Sequence, residues 1–250
     1  MKEVLNASCD DLESVLSGII EKTVLLYGNL PSVFPEPSIC FVNDICDAIE
    51  DDDRQFIDDT CLKKESWIGG LLYINKDNIP VIYVKKGDET DVGNANLIIS
   101  LVHEITHFFD YMHFAQLMKS DDLRELQKDR PFLFWTEFHA TYISVLYAIT
   151  YGILHIEQDR VLMELIEEMK VYCCKNRPLQ LEPAVNYFSR LFGKYWAWKC
   201  VYKELPLYPM EIFLDAKMGK LYKFFCDNPS FDELKDYIDE LDAVVYAFEK

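Results

Sequence analysis

From Leu97 onward, apolar residues recur at three- and four-residue intervals, whereas the segment before it carries two short runs rich in β-branched and aromatic side chains. The first period is helical and the second belongs to strands. The pattern predicts helices over 97–118, 121–129, 132–153, 156–175, 181–202, 209–225 and 231–248. LLYIN (71–75) and PVIYVKK (80–86), joined by the turn-like KDN, predict an antiparallel hairpin. Upstream, SICFVN reads as a short strand, and NLPSVFPEPS (29–38), with three prolines, ends a first helical segment. DICDAIEDDDRQFIDDTCLKK reads as acidic helix and loop. KGDETDVGNAN reads as a polar loop in which Asn94 or Asn96 caps the next helix. The expected class is α+β, a small N-terminal β-sheet followed by a mainly helical C-terminal part. No repeat, low-complexity tract or glycine-rich linker interrupts residues 1–250, so a single domain is expected, subdivided at about 1–96, 97–153 and 154–250.

Charge narrows the partners. Asp and Glu number 43 against 25 Lys and Arg, a formal net charge of -18. Such a chain repels phosphate backbones and anionic lipid, which argues against nucleic-acid and membrane partners and favours neutral or basic ones. The run FHATYISVLYAITYGILHI (138–156) lacks Asp, Glu, Lys and Arg. Its interspersed His, Thr and Ser suit a buried helix better than a lipid-facing span. The N-terminal stretch has acidic residues where a secretory signal would be basic, so a cytoplasmic protein is expected. Eight cysteines without CxxC spacing read as free, mostly buried thiols.

The chemistry concentrates in LVHEITHFFDYMHF, which holds three of the five histidines. His103, Glu104 and His107 spell H-E-x-x-H on a predicted helix. At about 100° per residue, both imidazoles project from one face a turn apart and can reach one tetrahedral Zn²⁺. Glu104 stands beside them, placed to act as general base toward water rather than as a ligand. Zinc would lower the pKa of water and polarise a carbonyl, the assistance that peptide hydrolysis needs. The surrounding Leu101, Val102, Ile105, Phe108 and Phe109 make unpaired His and Glu costly there.

The stretch resembles the zincin metallopeptidase superfamily, with the likeness covering roughly residues 68–150. The resemblance implies an edge strand above the metal helix that pairs with extended substrate, a role that would fall to PVIYVKK (80–86). It implies a zinc-dependent endopeptidase acting on a peptide or protein segment.

Two residues compete as third ligand. His113 fits the longer pattern H-E-x-x-H-x-x-G-x-x-H except that Asp110 replaces the glycine. On a continuing helix His113 points about 80° away from His103. Glu137, in the uncharged aromatic stretch RPFLFWTEFHATYISVLYA, is the preferred ligand, because zinc would supply the counter-charge that a buried carboxylate needs. Pro131 suits the start of its helix. H-E-x-x-H followed by such a Glu resembles the gluzincins, and HEITHFFD with TEFHA is similar to lethal-factor-like metallopeptidases. Asp110 either orients a ligand imidazole or is an ordinary helix-surface aspartate. His139, Tyr142, His155 and Tyr187 are all candidate oxyanion donors, and Trp196 and Trp198 read as packing residues. The alternatives to an enzyme are a non-catalytic zincin-like protein-binding module with a structural or vestigial metal site, and a helical interaction protein without metal.

Overall fold

The computed structural model describes residues 9–30, 37–49, 69–86, 91–154, 160, 163, 167, 181–205 and 216–249. The expected helix 156–175, apart from those three single positions, the first residues of the expected helix 209–225 and all of the acidic stretch after Ile49 lie outside them. Contacts divide the chain into two compact units, Met1–Gln127 and Lys128–Lys250.

The first unit contains α1 (Cys9–Tyr27), β1 (Ser38–Val42), α2 (Ile45–Ala48), β2 (Gly70–Ile74), β3 (Pro80–Lys85), α3 (Asp91–Met118) and α4 (Leu123–Leu126). β2 and β3 form the expected antiparallel hairpin, with Leu72 opposite Ile82. Asn78 in the turn adopts φ 61°, a left-handed conformation that asparagine tolerates. β1 pairs in parallel with β3, Cys40 opposite Tyr83.

The strand order is therefore β1-β3-β2. Among the described residues β3 is the central strand, and the expectation that 80–86 is an edge is corrected. Both hydrogen-bonding sides of β3 are occupied by neighbours, so its backbone has no free row to offer a peptide.

Alternation divides the sheet into two faces. Leu71, Tyr73 and Tyr83 pack with Val42, Ile45 and Ile49 on the α2 side. Ile74, Ile82 and Val84 are wholly buried on the opposite face, which also carries Gly70 and Leu72 and lies against α3. α3 begins at Asp91, inside the stretch expected to be a loop. Asn94 is a buried position within the helix rather than its cap. Packing overrides capping preference here, because continuing the helix places Asn94, Leu97 and Leu101 on one buried stripe.

The second unit is helical: α5 (Arg130–Thr150), α6 (Leu181–Val201), α7 (Ala216–Asp227), α8 (Phe231–Leu234) and α9 (Ile238–Glu249). The predicted helix 231–248 is thus two pieces. Asp129 caps α5 by accepting from the Phe132 amide at 2.9 Å, and Pro131 occupies the first turn as expected. α5 and α6 pack along their lengths. Their contacts advance in the same sense, Glu137 with Arg190 and Tyr142 with Cys200, so the two helices run parallel. Phe138 stacks on Phe225 at 5.1 Å and Trp135 donates to the Asn228 carbonyl at 2.8 Å, which ties α7 and its C-terminal end to α5. Trp198 is buried and stacks on Tyr202, in keeping with a packing role. No helix among the described residues is long and apolar enough to cross a membrane.

The α5–α6 approach depends on Gly193. A Cβ there would sit 2.9 Å from the Tyr142 amide nitrogen and against the Phe138 carbonyl, both backbone atoms of α5. Gly193→Ala is expected to lower unfolding free energy by about 1–3 kcal/mol, read by chemical denaturation.

Candidate metal centre

α3 is buried at every position from Leu101 to Phe114 except two, His103 and His113, which keep partial exposure. An apolar helix enclosed on all sides forces each polar group on it to find a partner. His103 and His107, one turn apart, meet each other: their Nε2 atoms lie 3.0 Å apart and the rings stand at 85°. Two nitrogens sharing one tetrahedral zinc at 2.0–2.1 Å would be separated by roughly 3.3 Å. The pair is therefore close to the spacing a shared ion requires, with His103 on the more open side.

Glu104 takes a different direction. Its Oε2 accepts from the Leu72 amide at 2.7 Å. The reason lies in the hairpin register. Lys85 N donates to Gly69 O at 2.9 Å, which makes Gly70–Val84 and, two residues on, Leu72–Ile82 the non-hydrogen-bonded pairs. Leu72 therefore turns its N–H and C=O away from β3, along the outer edge of β2. The carboxylate reaches that amide because residue 70 has no side chain. A Cβ at Gly70 would lie 2.7 Å from Glu104 Cγ. A helix residue that meets both a strand amide and a strand glycine is held in one orientation.

Glu137 is buried on α5. Arg190 of α6 grips it in a fork, Nε to Oε2 at 2.8 Å and Nη2 to Oε1 at 3.3 Å. The counter-charge that zinc is expected to bring to Glu137 is thus supplied at least in part by a guanidinium. Each carboxylate oxygen has two lone pairs, so the fork leaves the group able to bind an ion as well. One ligand atom from each of His103, His107 and Glu137 lies within 4.8 Å of the others. Two imidazole nitrogens and one carboxylate oxygen are a donor set that zinc accepts. The residues present thus fit the ion that the sequence suggests.

The alternative ligand His113 is directed elsewhere. Its Nε2 bonds the Asn29 carbonyl at 2.9 Å and its ring stacks on Tyr27. α3 continues through Asp110 without a break, and for that reason His113 does not swing back toward His103. Asp110 is wholly buried and accepts from the Tyr27 hydroxyl at 2.9 Å, so the reading of a helix-surface aspartate falls. Among the oxyanion candidates, His139 is buried with its ring 4.8 Å from Trp135. The Tyr142 hydroxyl accepts from Cys200 Sγ at 3.8 Å, and burial, then Cys200, raises its pKa. Tyr187 lies edge-on to Phe188. His155 falls outside the described residues. Of the thiols, Cys226 is buried and its pKa is pushed up to about 12 by burial, Cys40 is half-buried and Cys200 exposed; all three are free.

Sequence reasoning missed Arg190, Leu72 and Gly70. Paired glycines at the start of a strand, Gly69-Gly70, do signal a close approach. An arginine between Phe188 and Phe192 signals a buried acidic partner. Neither signal says which residue it serves. No protein-family model matches the chain, and no curated protein or solved structure was found to match it.

Gly70→Ala is expected to push Glu104 off the Leu72 amide, seen as faster hydrogen exchange at Leu72 with the rest of the hairpin still protected. Arg190→Met leaves Glu137 without its guanidinium and is expected to cost about 2 kcal/mol in denaturant unfolding of the metal-free protein. That is below the loss for a fully buried pair because the Arg190 side chain is 42% exposed.

Proposed function

We propose that this protein is a zinc-dependent peptidase in which His103, His107 and Glu137 hold the ion and Glu104 is the general base. The observation that carries the reading is the gathering of those three donors within 4.8 Å, with a buried carboxylate adjacent in sequence to the first of them. When bound, zinc would acidify water and polarise the scissile carbonyl. The chain's own residues do the rest. Glu104 would take a proton from the attacking water and pass it to the leaving amine, with its carboxylate fixed through one oxygen by the Leu72 amide. Arg190 holds Glu137 in one rotamer, so that the ligand is oriented before the ion arrives. The partial exposure of His103 gives solvent and substrate a side from which to enter. The net charge of -18 favours neutral or basic peptides. The site is expected to work inside the cell, on an extended segment of peptide or protein.

A second reading is favoured by the same partners. Arg190 and the Leu72 amide satisfy Glu137 and Glu104 without an ion, as a non-catalytic, zincin-like protein-binding module with a vestigial or structural metal site would require.

Elemental analysis and cleavage of unstructured peptides, scored by new termini in mass spectrometry, separate the two. The peptidase reading expects one zinc per chain and cleavage that stops when a chelator removes the metal. It also expects Glu104→Gln to retain the zinc while losing about 10²–10⁴ in rate. Wild-type rates in Glu104→Gln would sink the mechanism. One tightly held zinc with no cleavage of any peptide would favour the binding module.

A further inference from the structure

We propose that Tyr27 is a positioning residue for the metal centre, acting through the buried carboxylate of Asp110. The inference rests on the reading of His103 and His107 as ligands and adds to it a residue from another helix.

α1 ends at Tyr27, where Gly28, at φ 97°, turns the chain and donates back to Val24 O. The last residues of this helix and its turn are fastened to α3 at three successive places. The Tyr27 ring meets Phe109 edge-on at 5.2 Å and lies parallel to His113 at 5.8 Å, while the Asn29 carbonyl bonds His113 Nε2. Held between those rings, the hydroxyl is delivered to Asp110 Oδ1 at 2.9 Å, although 83 residues separate the two in sequence.

Asp110 is no ordinary surface acid. It is wholly buried, and it stands three residues past His107 and seven past His103. Seven residues bring a helix back to within about 20° of its starting direction, so Asp110 continues the stripe that carries both imidazoles. A carboxyl group one turn along from His107 offers oxygen acceptors that favour a cation at those rings. A hydrogen bond from a buried hydroxyl to a carboxyl oxygen is directional, and its loss would remove one of the contacts that hold the Asp110 side chain in place. The ring of Tyr27 serves packing and its hydroxyl serves Asp110, two functions that Tyr27→Phe separates.

The test is the zinc dissociation constant of the full chain, measured in competition with a chromophoric chelator, beside the thermal stability of the metal-free protein. Tyr27→Phe is expected to weaken zinc on the order of tenfold, and Asp110→Asn at least as much. The double variant should bind no more weakly than Asp110→Asn alone, since the proposal routes the effect of the hydroxyl through that carboxyl group. Ile19→Val, which trims the buried face of the same helix, is the packing control and should leave zinc affinity within about twofold while lowering stability slightly. Wild-type zinc affinity in Tyr27→Phe would overturn the proposal. So would an equal loss in Ile19→Val, or fully additive losses in the double variant. A wild-type chain that binds no zinc overturns the metal reading itself, and the proposal with it.

Discussion

Polar groups on a helix with almost no solvent-facing side must be satisfied by the protein, and α3 carries five of them between His103 and Asp110. Thr106 returns its hydroxyl to the Val102 carbonyl at 2.8 Å, a purely local solution. The other four cannot be settled within their own turn of backbone. His103 and His107 meet each other, Glu104 goes to β2, and Asp110 to α1. Leaving any of them without a partner would cost about 1–3 kcal/mol or more, so sheet and first helix are drawn to fixed places around α3 by its polar residues as much as by its apolar ones. The same enclosure holds the two imidazoles together, because few rotamers remain open to rings in so crowded a helix.

Close approach is the second condition. Glu104 can meet the Leu72 amide only because Gly70 presents no side chain, and α5 and α6 can run side by side only because Gly193 presents none. Arg190, three residues before Gly193 on the same helix, then reaches Glu137 along the line of contact that this glycine makes possible. The orientation of Glu137 is thus a by-product of helix packing. The guanidinium lets the carboxylate stay buried in the metal-free chain, and zinc would bind a group already held in place.

The sheet departs from what the resemblance to zincins implies. With β1 and β2 on either side, β3 cannot receive an extended peptide. The outer row of β2 is the side that Glu104 of α3 reaches, and it is already engaged. Leu72 N–H goes to Glu104, the Leu72 carbonyl accepts from Gln127 at 3.4 Å and the Ile74 carbonyl from Arg124 at 3.1 Å. Such covering protects an edge strand from unwanted pairing. A peptide that paired with β2 would therefore have to displace side chains of this chain.

By itself the sequence determined those features that depend on residues near one another along the chain. The helical period, the hairpin and the α+β class follow from spacing. So do the first turn of α5, set by Asp129 and Pro131, and the shared face of His103 and His107, because local backbone geometry alone decides them. It also singled out Glu137, as a carboxylate in surroundings that demand a counter-charge. Which charge answers the demand was a matter of distance in space, and only the tertiary structure decided it, placing Arg190 there 53 residues later. The same holds for β3 at the centre of the sheet, for Asn94 inside its helix, for His113 turned to Asn29 and for Asp110 bound to Tyr27. Each of these turns on which remote segment packs against a given face. Local propensity carries no information about that, whereas the burial of a polar group makes it binding.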